Sequence, residues 1–439
     1  MKTTPPLLRA ISPRAQLMRR DTAETLTRLF YLERSLILSQ AGWLPAVERL
    51  EVKAALARML WEDAVTADGL RNRVLELRYP SRVIAPDQHQ QVIALFDAVR
   101  NAPSQEAFVL GLAQVLLPAI WAAYAAYQQL SDRLSDGPSA RLLKHALIDK
   151  QTQIAELTQL ADQLLDLAPD QCTAAMAWAT ALATQVAAFG ETMLAEPAAD
   201  VQKTLPGSRP FTLPVIPGRD DRFARVRYYW PHIVDPDFPS NEGIDLQLRS
   251  AIGHLNEVWA AEICAANLYN FADTLGWEFI RDLARWTYDE SRHCLMGLER
   301  LTEWGFAPAS LPLGDYIYVA TRQQEPLLGL AMIFYFETKY IHRGRERIKT
   351  FTAYADQTSR HDYEFDWADE TFHAEYGKRW LTVLLKERTT TPHDLPELRN
   401  QCEALIAAAV AECTAEERQQ IRTIADRLLA QAKAQAIMN

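Results

Sequence analysis

The sequence predicts an all-α protein, because long stretches of it carry apolar side chains at helical spacing. Residues 20–195 are rich in alanine and leucine and give few strand signals, and helical patterns resume from about residue 246. Between the two regions, residues 196–245 contain too many prolines for a helix or a central strand. A third observation concerns chemistry: the phrase D-E-x-x-H occurs twice in the second region, at residues 289–293 and 369–373.

The first region, residues 1–195, is expected to form a helical bundle without a metal site. Glu33 and Glu62 lie at a spacing that resembles the acidic spacing in the second region, but Val65 or Thr66 stands where a histidine would be needed. Either a degenerate copy of the second bundle or an unrelated helical domain fits this pattern. Its helices are predicted near residues 21–41, 46–78, 88–102, 105–133, 138–167 and 171–194.

The proline-rich segment at residues 196–245 is predicted to be an ordered linker. It is more aromatic than a disordered segment, with Tyr228, Tyr229 and Trp230 in sequence. We therefore expect it to pack along the second bundle. It would be either a lid over the functional site or an apolar attachment without a catalytic role.

The second region is predicted to be a four-helix bundle at residues 246–390, followed by a helical tail at residues 391–439. In the tail, Thr414-Ala-Glu-Glu417 matches a capping box, in which Thr and Glu each accept a hydrogen bond from the other's backbone N–H. The four bundle helices are predicted near residues 246–273, 277–303, 319–352 and 358–387.

Each D-E-x-x-H phrase places a carboxylate and an imidazole on one helix face, because residues three apart on a helix are neighbours. Two further carboxylates, Glu262 and Glu337, precede the glutamates of the two phrases by 28 and 33 residues. Each interval fits half a helix, a turn and half of an antiparallel helix. The candidate metal ligands, one group per helix, are Glu262, Glu290 with His293, Glu337, and Glu370 with His373.

This ordered series resembles the ferritin-like di-iron carboxylate superfamily over about residues 246–390. Within that superfamily it is similar to uncharacterised bacterial proteins with a D-E-x-R-H phrase on the second helix. The resemblance implies two iron ions, with manganese or a mixed Mn/Fe pair as alternatives. It implies Glu290 and Glu370 as bridging ligands and Glu262 and Glu337 as terminal ones, with one imidazole on each metal.

The resemblance also gives the two aspartates of the phrases a role. A metal-bound histidine usually donates its other ring N–H to a carboxylate, which fixes the tautomer. In similar families the aspartate of one helix reaches the histidine of the opposite helix. We therefore expect Asp289 to contact His373 and Asp369 to contact His293.

Two other carboxylates are weaker ligand candidates. Asp366 lies four residues before Glu370, although a hydrogen bond in the core is an alternative role for it. Glu257 is a rival to Glu262, which has the better context of small residues and a tyrosine. A set of carboxylates and imidazoles suits iron or manganese, whereas structural zinc takes four ligands that are often thiolates.

The amino-acid composition indicates which kinds of partner and which cellular compartment to expect for this protein. The formal net charge of −10 over 439 residues makes a nucleic-acid partner unlikely. The five cysteines form no C-x-x-C pair, which is typical of a reduced, cytoplasmic protein. The first residues lack the apolar core of a secretory signal, and no segment is interpreted as a membrane span.

The resemblance implies an O2-dependent di-iron oxidase or oxygenase that acts on a small organic substrate. Because no C-x-x-C iron site is present, electrons would come from an external donor or from the substrate. A homodimer is one possible assembly. The alternatives are a ferroxidase or peroxidase, a protein similar to manganese catalase, and a metal-binding scaffold without enzymatic activity. The sequence does not specify the substrate.

Overall fold

A computed structural model describes residues 14, 16–78, 84–85, 87–239, 241–386 and 394–438, with backbone only for residues 340, 342, 343 and 438. Within these residues the protein is all-α, apart from one pair of two-residue parallel strands. The helices before the linker are α1 (Arg19–Trp43), α2 (Leu50–Glu76), α3 (Gln90–Arg100), α4 (Gln105–Gly111), α5 (Leu117–Leu130), α6 (Gly137–Leu167) and α7 (Pro169–Ala187).

The helices after the linker follow the predicted order, with two breaks that the sequence pattern did not reveal. The first predicted bundle helix is interrupted at residues 256–257, and the third is interrupted before Pro326, which occupies the first turn of the next helix. These helices are α8 (Gly243–Leu255), α9 (Val258–Leu275), α10 (Trp277–Glu303), α11 (Tyr316–Arg322), α12 (Pro326–Ala353), α13 (Gln357–Lys386), α14 (Leu395–Ala411) and α15 (Ala415–Met438).

Four of these helices surround the acidic residues of the second region. Helix α9 packs against α10, and α12 packs against α13. The two pairs meet through contacts of α9 with α12 and of α10 with α13. Helix α8 lies along α10. The resulting four-helix arrangement places the two D-E-x-x-H phrases on facing helices.

The first and second helical regions share one hydrophobic core. Helices α1 and α2 contact α9 and α10, and one cluster of buried apolar side chains extends through both regions. A second cluster joins the linker to α8 and α15. Trp277 at the start of α10 donates a hydrogen bond from Nε1 to Oδ1 of Asp68 on α2, at 2.7 Å. The boundaries at residues 195 and 245 therefore mark a change in amino-acid composition. That the regions on either side are separate domains remains a prediction.

The linker is ordered and largely buried through its aromatic residues. Tyr228 and Trp230 are both at most 1% exposed, and the Tyr228 hydroxyl donates a hydrogen bond to the carbonyl oxygen of Ala409 on α14. Strand β1 (Ala224–Arg225) pairs in parallel with β2 (Pro312–Leu313). These contacts attach the linker to the second region, as the sequence predicts.

Thr414 and Glu417 form the predicted capping box at the start of α15. The Thr414 N–H donates to a Glu417 carboxylate oxygen at 2.9 Å, and the Glu417 N–H donates to the Thr414 hydroxyl at 3.1 Å. Two backbone donors without partners in the helix are thereby satisfied.

One helical stretch, Gln105–Leu130, is long and apolar enough to cross a membrane, with a mean hydropathy of 1.8. The sequence-based interpretation passed over it. About two thirds of its most apolar 18-residue segment is buried inside the protein, which is the behaviour of a core helix. A π-helical turn at Leu112–Leu116 divides it into α4 and α5.

Gly297, four residues after His293, allows α8 and α10 to approach closely. A Cβ at this position would lie 2.3 Å from the backbone nitrogen of Leu255 and 2.5 Å from the carbonyl oxygen of Ala251. Gly377 occupies the matching place after His373, where a Cβ would lie 2.7 Å from the ring of Phe334. Both glycines keep the two phrases close to neighbouring helices.

A buried ion-pair network joins the helices of the first region. Lys150 on α6 is 1% exposed, and its ammonium contacts carboxylate oxygens of Glu33 on α1 and Asp63 on α2. The Tyr124 hydroxyl also donates to Glu33, and the Gln40 side-chain amide donates to Asp63 at 3.0 Å. The acidic residue that faces the core here is Asp63, whereas the sequence pattern indicated Glu62.

We predict that Gly297→Ala destabilises the protein by about 2–3 kcal/mol, because the added methyl group meets backbone atoms that cannot move aside. Gly253→Ala on α8 is the matched control, since a methyl group added at Gly253 would have no atom within 4 Å. Chemical denaturation measures both variants. Equal unfolding midpoints for the two would contradict the close contact between α8 and α10.

We predict that Lys150→Ala costs about 3–5 kcal/mol of unfolding free energy, because two buried carboxylates lose their cation. Lys144→Ala, on an exposed position of the same helix, should change stability by less than about 0.5 kcal/mol. Urea unfolding monitored by circular dichroism compares them. A Lys150 variant as stable as the Lys144 variant would show that the network carries no such energy.

Candidate metal centre

Five carboxylates and two imidazoles converge between α9, α10, α12 and α13. One group consists of Glu290, Glu337, Glu370 and His373, with one ligand atom from each lying within 4.8 Å of the others. A second set lies beside it and combines His293 with Glu257 and Glu290, and with Asp366 and Glu370. We call these seven side chains the acidic cluster: Glu257, Glu290, His293, Glu337, Asp366, Glu370 and His373.

Glu290 and Glu370 belong to both halves of the acidic cluster. Each of them groups with His373 on one side and with His293 on the other. The two imidazole rings have centroids 6.0 Å apart. This arrangement offers two adjacent positions for cations, with two carboxylates able to span them.

Both imidazoles direct Nδ1 into the cluster without a hydrogen bond. His373 Nδ1 lies 3.2 Å from an oxygen of Glu290 and 3.5 Å from an oxygen of Glu337. His293 Nδ1 lies 3.4 Å from Asp366 and 3.5 Å from Glu257. Both side chains are fully buried, and neither Nδ1 has a hydrogen-bond partner among the described residues. A metal ion would satisfy these nitrogens, which are otherwise costly to bury.

The other ring nitrogen of each histidine faces an aspartate of the opposite helix. His373 Nε2 lies 3.4 Å from Asp289, and His293 Nε2 lies 3.4 Å from Asp369. This is the crossed pairing that the resemblance implies. A proton held on Nε2 by each aspartate leaves Nδ1 as the ring atom that faces the cluster and that would bind a metal ion once its own proton is released.

Two arginines on α10 hold the aspartate pair in its charged form. Arg285 Nε donates to both oxygens of Asp289 at 2.7–2.8 Å, and Arg292 bridges Asp289 and Asp369. Burial favours the neutral acids, but the imidazole and guanidinium contacts outweigh it. The pKa of Asp369 is lowered to about 2, and the pKa of Asp289 is also lowered.

Trp286 fixes two of the carboxylates from inside the core. Its indole N–H lies 2.9 Å from Glu290 and 3.1 Å from Glu337, and its ring stacks on His373 at 5.2 Å between centroids. Trp286 is fully buried. The sequence gives no signal for this role, because an aromatic side chain on a helix face usually belongs to the core.

Two carboxylates of the acidic cluster have raised pKa values, and a third has a lowered pKa. Burial, together with repulsion from neighbouring carboxylates, raises the pKa values of Glu337 and Glu370 well above normal. Burial opposes the charged form of Glu290, but contacts with both imidazoles lower its pKa. Burial also disfavours the charged form of His373, yet its contacts with Asp289 and Glu290 raise its pKa to about 9. Metal binding here would therefore release protons.

Glu262, predicted as a ligand, lies outside the acidic cluster. Its carboxylate contacts both terminal nitrogens of Arg219 and accepts from Lys53 at 2.8 Å. All three side chains are buried. Glu262 therefore neutralises two cations, one from the linker and one from α2, and Glu257 takes the place in the cluster that the sequence gave to Glu262.

The helix break at residues 256–257 explains this correction. The Asn256 side chain donates to the carbonyl oxygens of Ile252 and Pro312 and accepts from the N–H of Gly314. These bonds hold the chain in a turn between α8 and α9, so Glu257 leaves the face on which a continuous helix would place it. The pattern of apolar residues contains no signal for such a break.

Behind Asp366 lies a buried network that the sequence analysis assigned no role in the site. His254 Nε2 is 3.6 Å from Asp366, and its Nδ1 contacts the guanidinium of Arg300. Arg300 Nε pairs with Asp362 at 2.9 Å. Because an arginine donates to Nδ1, the His254 proton lies on Nε2 and is directed toward Asp366.

A cavity of about 840 Å³ opens onto the acidic cluster. Glu257, Glu290, Glu337, Asp366 and Glu370 all line it. The linker contributes another part of the wall, through Tyr229, His232, Ile233 and Pro236. The linker is therefore positioned at the site, as one of the two sequence interpretations requires.

Residues 185–428 match the model of a family described as protein of unknown function, DUF455. The match covers more than half of the chain. The chain belongs to the DUF455 family. Comparison with curated proteins and with solved structures found no match. The DUF455 region includes the linker and the whole acidic cluster, whereas helices α1–α6 lie outside it.

If the acidic cluster binds two divalent metal ions, we predict that Glu257→Gln reduces the bound metal to about one ion per chain or less, because Glu257 would be a ligand at one of the two positions. Glu262→Gln is the matched control, five residues away. It should lower stability by about 3–5 kcal/mol, since two buried cations lose their partner, but should retain the metal in the folded fraction. Metal analysis after gel filtration tests this pair. The reverse result would restore Glu262 as the ligand.

Proposed function

We propose that this protein binds two iron ions in the acidic cluster and is an O2-dependent oxidase or oxygenase of the ferritin-like kind. The observation that carries the proposal is the pair of fully buried imidazoles whose Nδ1 atoms face carboxylates without a hydrogen bond. Manganese or a mixed Mn/Fe pair is the alternative metal content. The order of the ligands along the chain supports the ferritin-like assignment.

Charge supports the presence of metal ions. The nearby buried acids Glu262, Asp289 and Asp369 each pair with an arginine or lysine. The five carboxylates of the acidic cluster make no such pair among the described residues. Two divalent cations would supply four positive charges at this point, which removes most of the cost of burying the carboxylates.

The ligand set favours iron or manganese over structural zinc. It offers carboxylate oxygens and imidazole nitrogens, while the two buried thiols nearby, Cys264 and Cys294, belong to none of the ligand groups. Burial raises the pKa of the Cys264 thiol well above its normal value, so it stays protonated. Glu290 and Glu370 would bridge the two ions. Glu337 with His373 would complete one position, and Glu257, Asp366 and His293 would complete the other.

The residues around the ligands would keep the site fixed while substrate enters. Asp289 and Asp369 set the tautomers of the two imidazoles, and Trp286 restrains Glu290 and Glu337 by its indole N–H. A di-iron pair, when bound, supplies the activation of O2. The cavity beside it supplies room for an organic substrate, and the linker wall limits access of water.

We predict that reduced, iron-loaded protein consumes O2 with a change in its optical spectrum. Glu370→Ala should abolish both signals, because it removes a carboxylate that would serve both metal positions. Glu364→Ala should keep them, since Glu364 is exposed on the same helix and pairs only with Arg360 among the described residues. Stopped-flow absorbance and an oxygen electrode measure the two effects.

Four outcomes of this experiment would change the assignment. Two bound irons without O2 uptake, with and without added extract as a source of substrate, would reject the oxidase. Disproportionation of hydrogen peroxide by manganese-loaded protein would select the catalase-like alternative. Bound metal without O2 uptake or peroxide disproportionation would leave the metal-binding scaffold, and failure to bind iron or manganese would reject the proposal as a whole.

A further inference from the structure

The cavity over the acidic cluster also carries basic side chains that the proposed metal chemistry does not use. Arg249 on α8 and Arg347 on α12 both line it. Both are half-buried, so their guanidinium groups are partly removed from water. Arg249 donates to the neutral side-chain oxygen of Asn241 at 2.9 Å. Arg347 makes no ion pair with any carboxylate among the described residues.

The two arginines belong to the same end of the cavity. Helix α8 begins beside the turn between α12 and α13, where the Gly243 N–H donates to the Tyr354 hydroxyl and Gln247 donates to Asp356. Arg249 lies two residues after Gln247, and Arg347 lies about two turns before Tyr354. Two separate helices thus bring positive charge to one region of the wall.

This basic end lies at a defined distance from the candidate metal ligands. Arg249 lies in the middle of α8, the helix that ends two residues before Glu257. Arg347 follows Glu337 by ten residues, or about 15 Å. Apolar and aromatic side chains, among them Trp259, Phe336 and Ile317, occupy other parts of the wall.

We propose that the cavity binds an elongated substrate with an anionic head group, either carboxylate or phosphate, held by Arg249 and Arg347. Its apolar body extends toward the acidic cluster, where the oxidation proposed above takes place, so this inference rests on that function for the reaction itself. Guanidinium groups recognise both kinds of anion by paired hydrogen bonds. Without metal the five carboxylates would repel such a ligand, and with two divalent cations that repulsion is largely removed.

The test measures binding and needs no turnover. Protein loaded with Mn²⁺ under nitrogen is titrated with 6-phenylhexanoate, with its neutral amide, and with 5-phenylpentyl phosphate, and heat is recorded by calorimetry. We expect at least one of the two anions to bind about ten times more tightly than the amide, because charge-assisted hydrogen bonds are lost with the head group. The relative affinities of carboxylate and phosphate identify the preferred head group.

Variants separate binding by the arginines from direct binding to metal. Arg249→Gln and Arg347→Gln should each weaken the anion about tenfold and leave the amide unchanged. Lys349→Gln is the matched control, because Lys349 is exposed on α12 and does not line the cavity. Metal-free protein should bind the anions weakly.

The inference can fail independently of the O2 chemistry. Equal affinity for the anions and the amide would overturn it. Anion binding that is unchanged in both arginine variants would also overturn it, because the ligand would then be bound by the metal alone. Absence of binding by every probe in both metal-loaded and metal-free protein would also overturn it. Each of these results stands whether or not the iron-loaded protein consumes O2.

Discussion

The burial of acidic side chains without matching basic ones is the constraint on which the second region depends. A carboxylate removed from water needs a cation, a proton or several hydrogen bonds. Around the acidic cluster the chain supplies arginines to Asp289, Asp369 and Asp362, but none of the described arginines or lysines reaches the five carboxylates at its centre. The five carboxylates therefore lie together at the middle of four helices without an arginine or lysine partner among the described residues, and burial together with their mutual repulsion raises the pKa values of Glu337 and Glu370.

In the first region, a lysine side chain supplies the positive charge that the buried carboxylates need. Glu33 and Asp63 are at most 1% exposed, and the ammonium of Lys150 lies between them. Since that lysine already provides the positive charge, no histidine is needed on the adjacent turns. Buried carboxylates in a helical bundle can thus be neutralised either by a basic side chain of the protein or by a bound metal ion.

The two regions are also joined through charge. Lys53 from α2 and Arg219 from the linker both reach Glu262 on α9, one turn beyond Glu257. Asp220, next to Arg219, pairs in turn with Arg49 and accepts from the backbone of Leu50. This chain of contacts fixes the linker, and with it the cavity wall at Tyr229, relative to the metal ligands. Helices outside the DUF455 match thus help to position the site inside it.

The sequence by itself determined the helical class, the ordered linker and most of the cluster. Periodicity marks long helices, and the E-x-x-H spacing puts Glu290 with His293, and Glu370 with His373, on one face each, because these relations are local. The crossed Asp–His contacts followed from the resemblance. Only the tertiary structure decided between Glu257 and Glu262.

That choice depends on a turn at Asn256, which exists because its side chain bonds to Pro312 and Gly314, more than 50 residues away. The place of Asp366 in the cluster and the cations around Glu262 are decided in the same way, by partners on other helices. Helical spacing states which residues share a face, but it does not state which face meets a distant lysine, arginine or imidazole.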